Sequence, residues 1–93
     1  MNIGSRCIGD KESPLVVVEI GINHGGSLDL AKAMVDAAYK AGAECIKHQT
    51  HFVEDEMTEE AKTIFPPNAD MSIWDVMEKC SLSRDDEISL KNH

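Results

Sequence analysis

From Leu15 to Thr50 the hydrophobic rhythm of the chain changes twice, and the order of those changes admits few folds. Leu15, Val16, Val17 and Val18 form an apolar, mostly β-branched run of the kind carried by a parallel strand covered on both faces. The strand is expected to run to Ile20 and to turn polar at its tip, where Glu19 precedes Gly21, Asn23, His24, Gly25 and Gly26. Ser27 then suits a helix N-cap, and Asp29 in the first turn favours the positive end of the helix dipole. Leu28, Ala31, Val35 and Ala38, joined by Leu30, Met34 and Ala41, recur at three- and four-residue spacings and predict one broad apolar face; Lys32, Asp36 and Lys40 take the other side. Gly42 supplies a left-handed C-cap, and a second strand is expected over Glu44 to Thr50. Strand, helix and strand in this order make a βαβ unit, and a parallel α/β protein places its chemistry where apolar strand bodies end in polar tips.

Period-two alternation assigns the faces of the second strand. Cys45, Lys47 and Gln49 point one way, Ile46, His48 and Thr50 the other, and the matching parity in the first strand sets Val17 beside Glu19. If the odd positions look into a barrel, Glu19 and Lys47 become neighbours near its mouth. A lysine buried there needs a carboxylate or an anionic ligand to stay charged. A carboxylate after a run of apolar residues and before a glycine-rich turn favours a functional role for Glu19 over a solvated strand end, and Lys47 between Ile46 and His48 is better read as an inward anion binder than as a surface lysine. Gln49 divides evenly between ligand contact and a hydrogen bond to the next loop. His48, on the opposite face, is expected to pack against helices. Asn23 and His24 are expected to shape the first loop through side-chain to backbone bonds. Gly25-Gly26 ahead of a capped helix could cradle a phosphate, although the loop lacks a P-loop's lysine and spacing.

Around this unit the chain is less regular. Residues 1–14 read as a polar lead-in with a short hairpin at Gly9-Asp10, and residues 15–93 as the first βα units of a barrel domain. After His51 comes an acidic loop with Glu54, Asp55, Glu56, Glu59 and Glu60, interrupted by a short helix from Thr58 to Ile64; a solvated face is the expected role of those charges. Pro66-Pro67-Asn68 is a turn. Ser72 with Asp75, and Ser83 with Asp86, mark two capped helix starts, the first carrying an Ile73, Val76, Met77 and Cys80 stripe; Trp74, Met71 and Met77 are expected in the core. With 93 residues the chain is far short of the roughly 250 of a parallel barrel, so it is expected to be the N-terminal piece of something larger, because two parallel strands leave edges that need partners. A net charge of -8 argues against a nucleic-acid backbone as partner, and no apolar run approaches the roughly 20 residues of a membrane span. Without a signal-like N-terminus the expected location is cytoplasmic, and Cys7, Cys45 and Cys80, with no CxxC pair, read as reduced thiols.

The segment EIGINHGGSLDLAKAMVDAAYKAGAECIKHQTH, followed by EDEMTEEAK and PNADMSIWDVMEKCSLSRDDEISLK, resembles the start of the bacterial N-acetylneuraminate (sialic acid) synthases from about Val17 to Lys91. EIGxNHxGS with a KxQT strand is shared by the wider group that condenses phosphoenolpyruvate with an amino-sugar aldehyde; KHQTH with NADxSI points to the sialic acid branch. The resemblance implies an α/β protein forming the N-terminal portion of a TIM (β/α)8 barrel, incomplete in this chain, within a homodimeric enzyme that also carries a small C-terminal domain. It implies condensation of phosphoenolpyruvate with N-acetylmannosamine to N-acetylneuraminate and phosphate, with a divalent metal, manganese or magnesium, polarising the aldehyde. On that likeness Glu19 and Lys47 are the catalytic residues, Lys47 binds phosphoenolpyruvate, and Gln49 and Asn68 lie near the amino sugar; without it, Asn68 would be read as turn chemistry. The family's metal-binding histidines have no counterpart here, so His24, His48 and His51 are not assigned that role.

Three alternatives stand beside this one. A pseudaminic or legionaminic acid synthase differs only in the sugar. A small metal-binding module using His24, His48, His51 and the cysteines is disfavoured by their irregular spacing. A non-catalytic truncated fragment is the third.

Overall fold

The computed structural model describes residues 1–93. Its elements are β1 (Asn2–Ile3), β2 (Arg6–Cys7), β3 (Val17–Gly21), α1 (Leu28–Lys40), β4 (Cys45–His48), α2 (Val53–Glu56), a 3-10 helix (Glu59–Thr63), α3 (Ile73–Cys80) and α4 (Arg84–Asn92). β1 and β2 pair antiparallel, with Asn2 opposite Cys7, around Gly4-Ser5; Gly4 takes φ +59°, which a tight two-residue turn requires and glycine adopts without steric cost. The hairpin expected at Gly9-Asp10 is therefore one turn earlier, and Gly9 instead closes a turn with Glu12. Arg6 anchors the hairpin to the start of β4: its Nε donates to Glu44 at 2.6 Å and its guanidinium also donates to the Ser13 carbonyl at 2.8 Å. That hydrogen bond holds the Glu44 carboxyl below the usual carboxylate range.

β3 and β4 form the parallel pair, in register Val17 to Cys45, Val18 to Ile46 and Glu19 to Lys47. Ile20 is one residue extra on β3, so that Gly21, not Ile20, faces His48. Both strands are shorter than their apolar runs suggest. The expectation that both faces of the first strand are covered also fails: Val16 and Val17 are half exposed. Val17 shares its face with Glu19, which no further layer covers, and Val16 lies just before the strand begins. The chain is correspondingly elongated, 49 × 28 × 24 Å, with a radius of gyration of 16.3 Å where about 12 Å is usual for a compact domain of this length.

α1 follows its predicted periodicity. Ser27 Oγ accepts from the Leu30 amide at 3.2 Å, and the C-terminus closes with Gly42 N–H to Tyr39 O and Ala43 N–H to Ala38 O, both 3.0 Å, the paired bonds of a Schellman cap with Gly42 at φ +92°. Ala31 and Ala38 are buried, whereas Leu30 and Ala41 face solvent. Ala31 shares a small core with Leu82 and Leu90, against which Leu28 and Val35 pack. Ser72 and Ser83 cap α3 and α4, accepting from Asp75 and Asp86 amides at 3.1 Å each. α2 was not foreseen, and Met71, expected in the core, is exposed; Trp74 is half-buried with Lys62 over its ring. The acidic residues from Glu54 to Glu60 are exposed, as expected of a solvated face. All three cysteines are free, and no helix is long and apolar enough to cross a membrane.

Candidate active site

Cross-strand pairing of Glu19 with Lys47 puts their side chains on the same side of the sheet, at the C-terminal ends of β3 and β4. Lys47 Nζ donates to Glu19 Oε1 at 3.0 Å, and both side chains remain more than half exposed, at 57% and 55%. The expectation of a desolvated lysine is thus corrected: the face it occupies is uncovered in this chain. Gln49 continues the same parity, and its Oε1 lies 3.2 Å from where a Cβ on Gly21 would sit. Position 21 favours glycine for its φ of +53°, and a side chain there would also press on the Gln49 amide. Glu19 and Lys47 pair at one strand mouth, and the Gln49 side chain reaches Gly21 at the end of β3. Asn68 does not visibly join them; it sits exposed in the turn closed by Ala69 N–H to Pro66 O, with no side-chain hydrogen bond.

Beneath the sheet lies a second constellation. His24 is 1% exposed, its Nδ1 accepting from the Gly26 amide at 3.1 Å, and its ring stands 5.2 Å from that of His48. With Nδ1 a lone-pair acceptor, the neutral ring carries its proton on Nε2. Desolvation by burial lowers the His24 pKa below its ordinary value, and the neighbouring His48 adds to the effect. His48 Nε2 meets both carboxylate oxygens of Glu87 on α4 at 3.1 and 3.0 Å, and Thr50 Oγ1 donates to the same carboxylate at 2.9 Å. These pairings bear out the loop-shaping role expected of Asn23, whose Nδ2 donates to Ile20 O at 2.9 Å, and of His24, and the helix-side packing expected of His48. His51 pairs separately with Glu56 at 3.0 Å.

Gly26 does not cradle an anion. It turns at φ +84° against the C-terminus of α3, where a Cβ would collide with the Lys79 carbonyl and meet that of Ser81. The glycine loop is a packing joint between the first strand and the α3–α4 corner. Sequence reading missed Glu87, noting only the Ser83 cap with Asp86 at the start of α4. Its spacing of three before the buried Leu90 places it on the inward face of the helix, a signal that was present.

Fold and site together describe a mixed α/β protein whose parallel βαβ unit carries an ammonium–carboxylate pair at adjacent strand tips. The family model of the NeuB family matches residues 34–93, which include Lys47, Gln49 and Asn68. The chain belongs to the NeuB family. Among its relatives, the spore coat polysaccharide biosynthesis protein SpsE of Bacillus subtilis is 33% identical over 82 residues, covering 86% of this chain and 22% of that protein. The N-acetylneuraminate-9-phosphate synthase of Mus musculus is 41% identical over 49 residues, covering 53% of this chain and 14% of the relative. An N,N'-diacetyllegionaminic acid synthase of Legionella pneumophila is 40% identical over 47 residues, 50% of this chain and 13% of the relative. The chain thus spans less than a quarter of the length of each.

Proposed function

We propose that this chain is the phosphoenolpyruvate-binding part of a synthase that condenses phosphoenolpyruvate with N-acetylmannosamine, giving N-acetylneuraminate and phosphate. The observation that supports the reading is the Lys47 to Glu19 contact of 3.0 Å on the open face of the strand tips, within a chain of the NeuB family. Phosphoenolpyruvate carries a phosphate and a carboxylate. Lys47 supplies the cation for one of them by a charge-assisted hydrogen bond. Glu19 holds the ammonium in place before the ligand arrives, and Gln49 offers an amide next to it. In the reaction C3 of phosphoenolpyruvate forms the new carbon–carbon bond with the sugar aldehyde, water adds at C2, and the tetrahedral intermediate breaks its C–O bond to release phosphate. Asn68 is proposed to reach the amino sugar. The barrel, the homodimer and the cytoplasmic setting belong to the same proposal.

A divalent ion is expected for this chemistry, but the residues here do not supply its site. No three of the histidine, cysteine and acidic side chains converge as ligands, and the Glu19 carboxylate is engaged by Lys47. A second reading keeps the reaction and changes the sugar: the legionaminic acid synthase relative, at 40% identity, supports a diacetamido sugar as acceptor.

Phosphate release from phosphoenolpyruvate, measured with each sugar in turn on the protein as its gene expresses it, tests both readings. Release that depends on N-acetylmannosamine supports the first, and release that depends on a 2,4-diacetamido sugar the second. No release with either contradicts the proposed reaction.

A further inference from the structure

Backbone pairing between β3 and β4 ends at His48. Gln49 and Thr50 lie beyond the ladder, at the point where the proposed ligand would be met. What holds this segment is a single carboxylate from another element: Glu87 of α4 binds His48 on the ladder's last position and Thr50 two residues on. Both side chains of the His48–Glu87 contact are largely covered, at 17% and 14% exposure, so the contact is shielded from competing water. Lys47 and Gln49 alternate with His48 and Thr50 and point to the opposite side. Fixing the even positions from below therefore aims the odd positions above.

We propose that Glu87, acting through His48 and Thr50, is a positioning residue that orients Lys47 and Gln49 for the anionic ligand. The inference rests on the proposed role of Lys47 and Gln49 and extends it to a residue on the far side of the sheet. Glu87 touches no ligand; its effect is transmitted by the strand end, which two bonds to one carboxylate make rigid where the ladder no longer does. His24 on the β3–α1 loop and Lys91 and His93 on α4 are the other titratable groups near this contact, and none of them makes a hydrogen bond to Glu87.

Thr50→Val, which removes the donor at nearly constant shape, and Glu87→Gln, which removes the charge, test this in the protein as its gene expresses it. Two readouts are taken: the dissociation constant for phosphoenolpyruvate, and NMR order parameters of the Gln49 and Thr50 amides. Both variants should bind phosphoenolpyruvate about tenfold more weakly, the worth of one charge-assisted hydrogen bond, with Thr50→Ser restoring the affinity. The amide order parameters should fall from about 0.85 towards about 0.6, again restored in Thr50→Ser. Unchanged order parameters in Thr50→Val overturn the positioning role whatever the ligand does, and unchanged affinity with loosened amides overturns its link to binding. Absence of phosphoenolpyruvate binding by the unaltered protein contradicts the proposed function instead, while the amide readout still decides whether Glu87 fixes the strand end.

Discussion

The two faces of the β3–β4 sheet carry the same kind of contact at the same distance and use it differently. Above, Lys47 meets Glu19 at 3.0 Å with both side chains more than half exposed; below, His48 meets Glu87 at 3.0 Å with both largely covered. Distance alone does not separate them. Solvent does: an exposed pair gains little, because water screens it and two long side chains must be held, whereas a covered carboxylate is costly to strip of its hydrogen-bond partners. The upper pair can exchange its partner for a ligand with little loss, and the lower pair cannot. The comparison teaches that carboxylate contacts of equal length leave an exchangeable pair on one side of a sheet and a joint on the other.

The lower face should fail first when its packing is disturbed. Gly26→Ala forces a Cβ into the α3 carbonyls at a positive φ, and chemical denaturation should show a loss of about 2–4 kcal/mol. A wild-type midpoint would mean that the loop does not clamp the α3–α4 corner. Next, Glu87→Ala leaves His48 and Thr50 without their acceptor and should cost about 2 kcal/mol in the same measurement. Equality with the effect of removing Glu19 would erase the distinction between the faces.

Acid sharpens the contrast further. His24 is held neutral below its ordinary value of 6.5, so between its native pKa and that value the unfolded chain binds more protons than the folded one. Stability contributed by the neutral ring is fully present above pH 6.5 and declines as pH falls below it, levelling once the native ring also protonates. Urea midpoints at about pH 7.5 and about pH 5.5 should differ in that direction, and His24→Gln should flatten the difference. The smallest effect is expected on the upper face: Glu19→Gln should change stability by no more than about 0.5 kcal/mol. A loss of several times that amount would place Glu19 among the structural residues.

Much of this was legible in the residues. The βαβ order, the Ser27, Ser72 and Ser83 caps and the Gly42 terminus follow from local chemistry, which the surroundings do not override. The common side of Glu19 and Lys47 follows from strand parity. Exposure was not legible, because Val17 and Lys47 are written for a covered face that no element of this chain covers, and composition cannot say which neighbours are present. Glu87 was hidden because its partner in space is distant in sequence, 39 residues from His48, and periodicity reports faces without naming what they meet. Met71 misled for a similar reason, an apolar side chain in an irregular stretch having no periodic face to assign it.

Titration of phosphoenolpyruvate into the protein and into Lys47→Ala, with thermal midpoints taken on the same samples, bears most directly on the division between the two faces. The account predicts that affinity falls at least about tenfold, as the ligand loses a charge-assisted hydrogen bond, while the midpoint stays put. Equal affinity in the two proteins, or a lysine whose loss lowers the midpoint as much as that of Glu87, would contradict it.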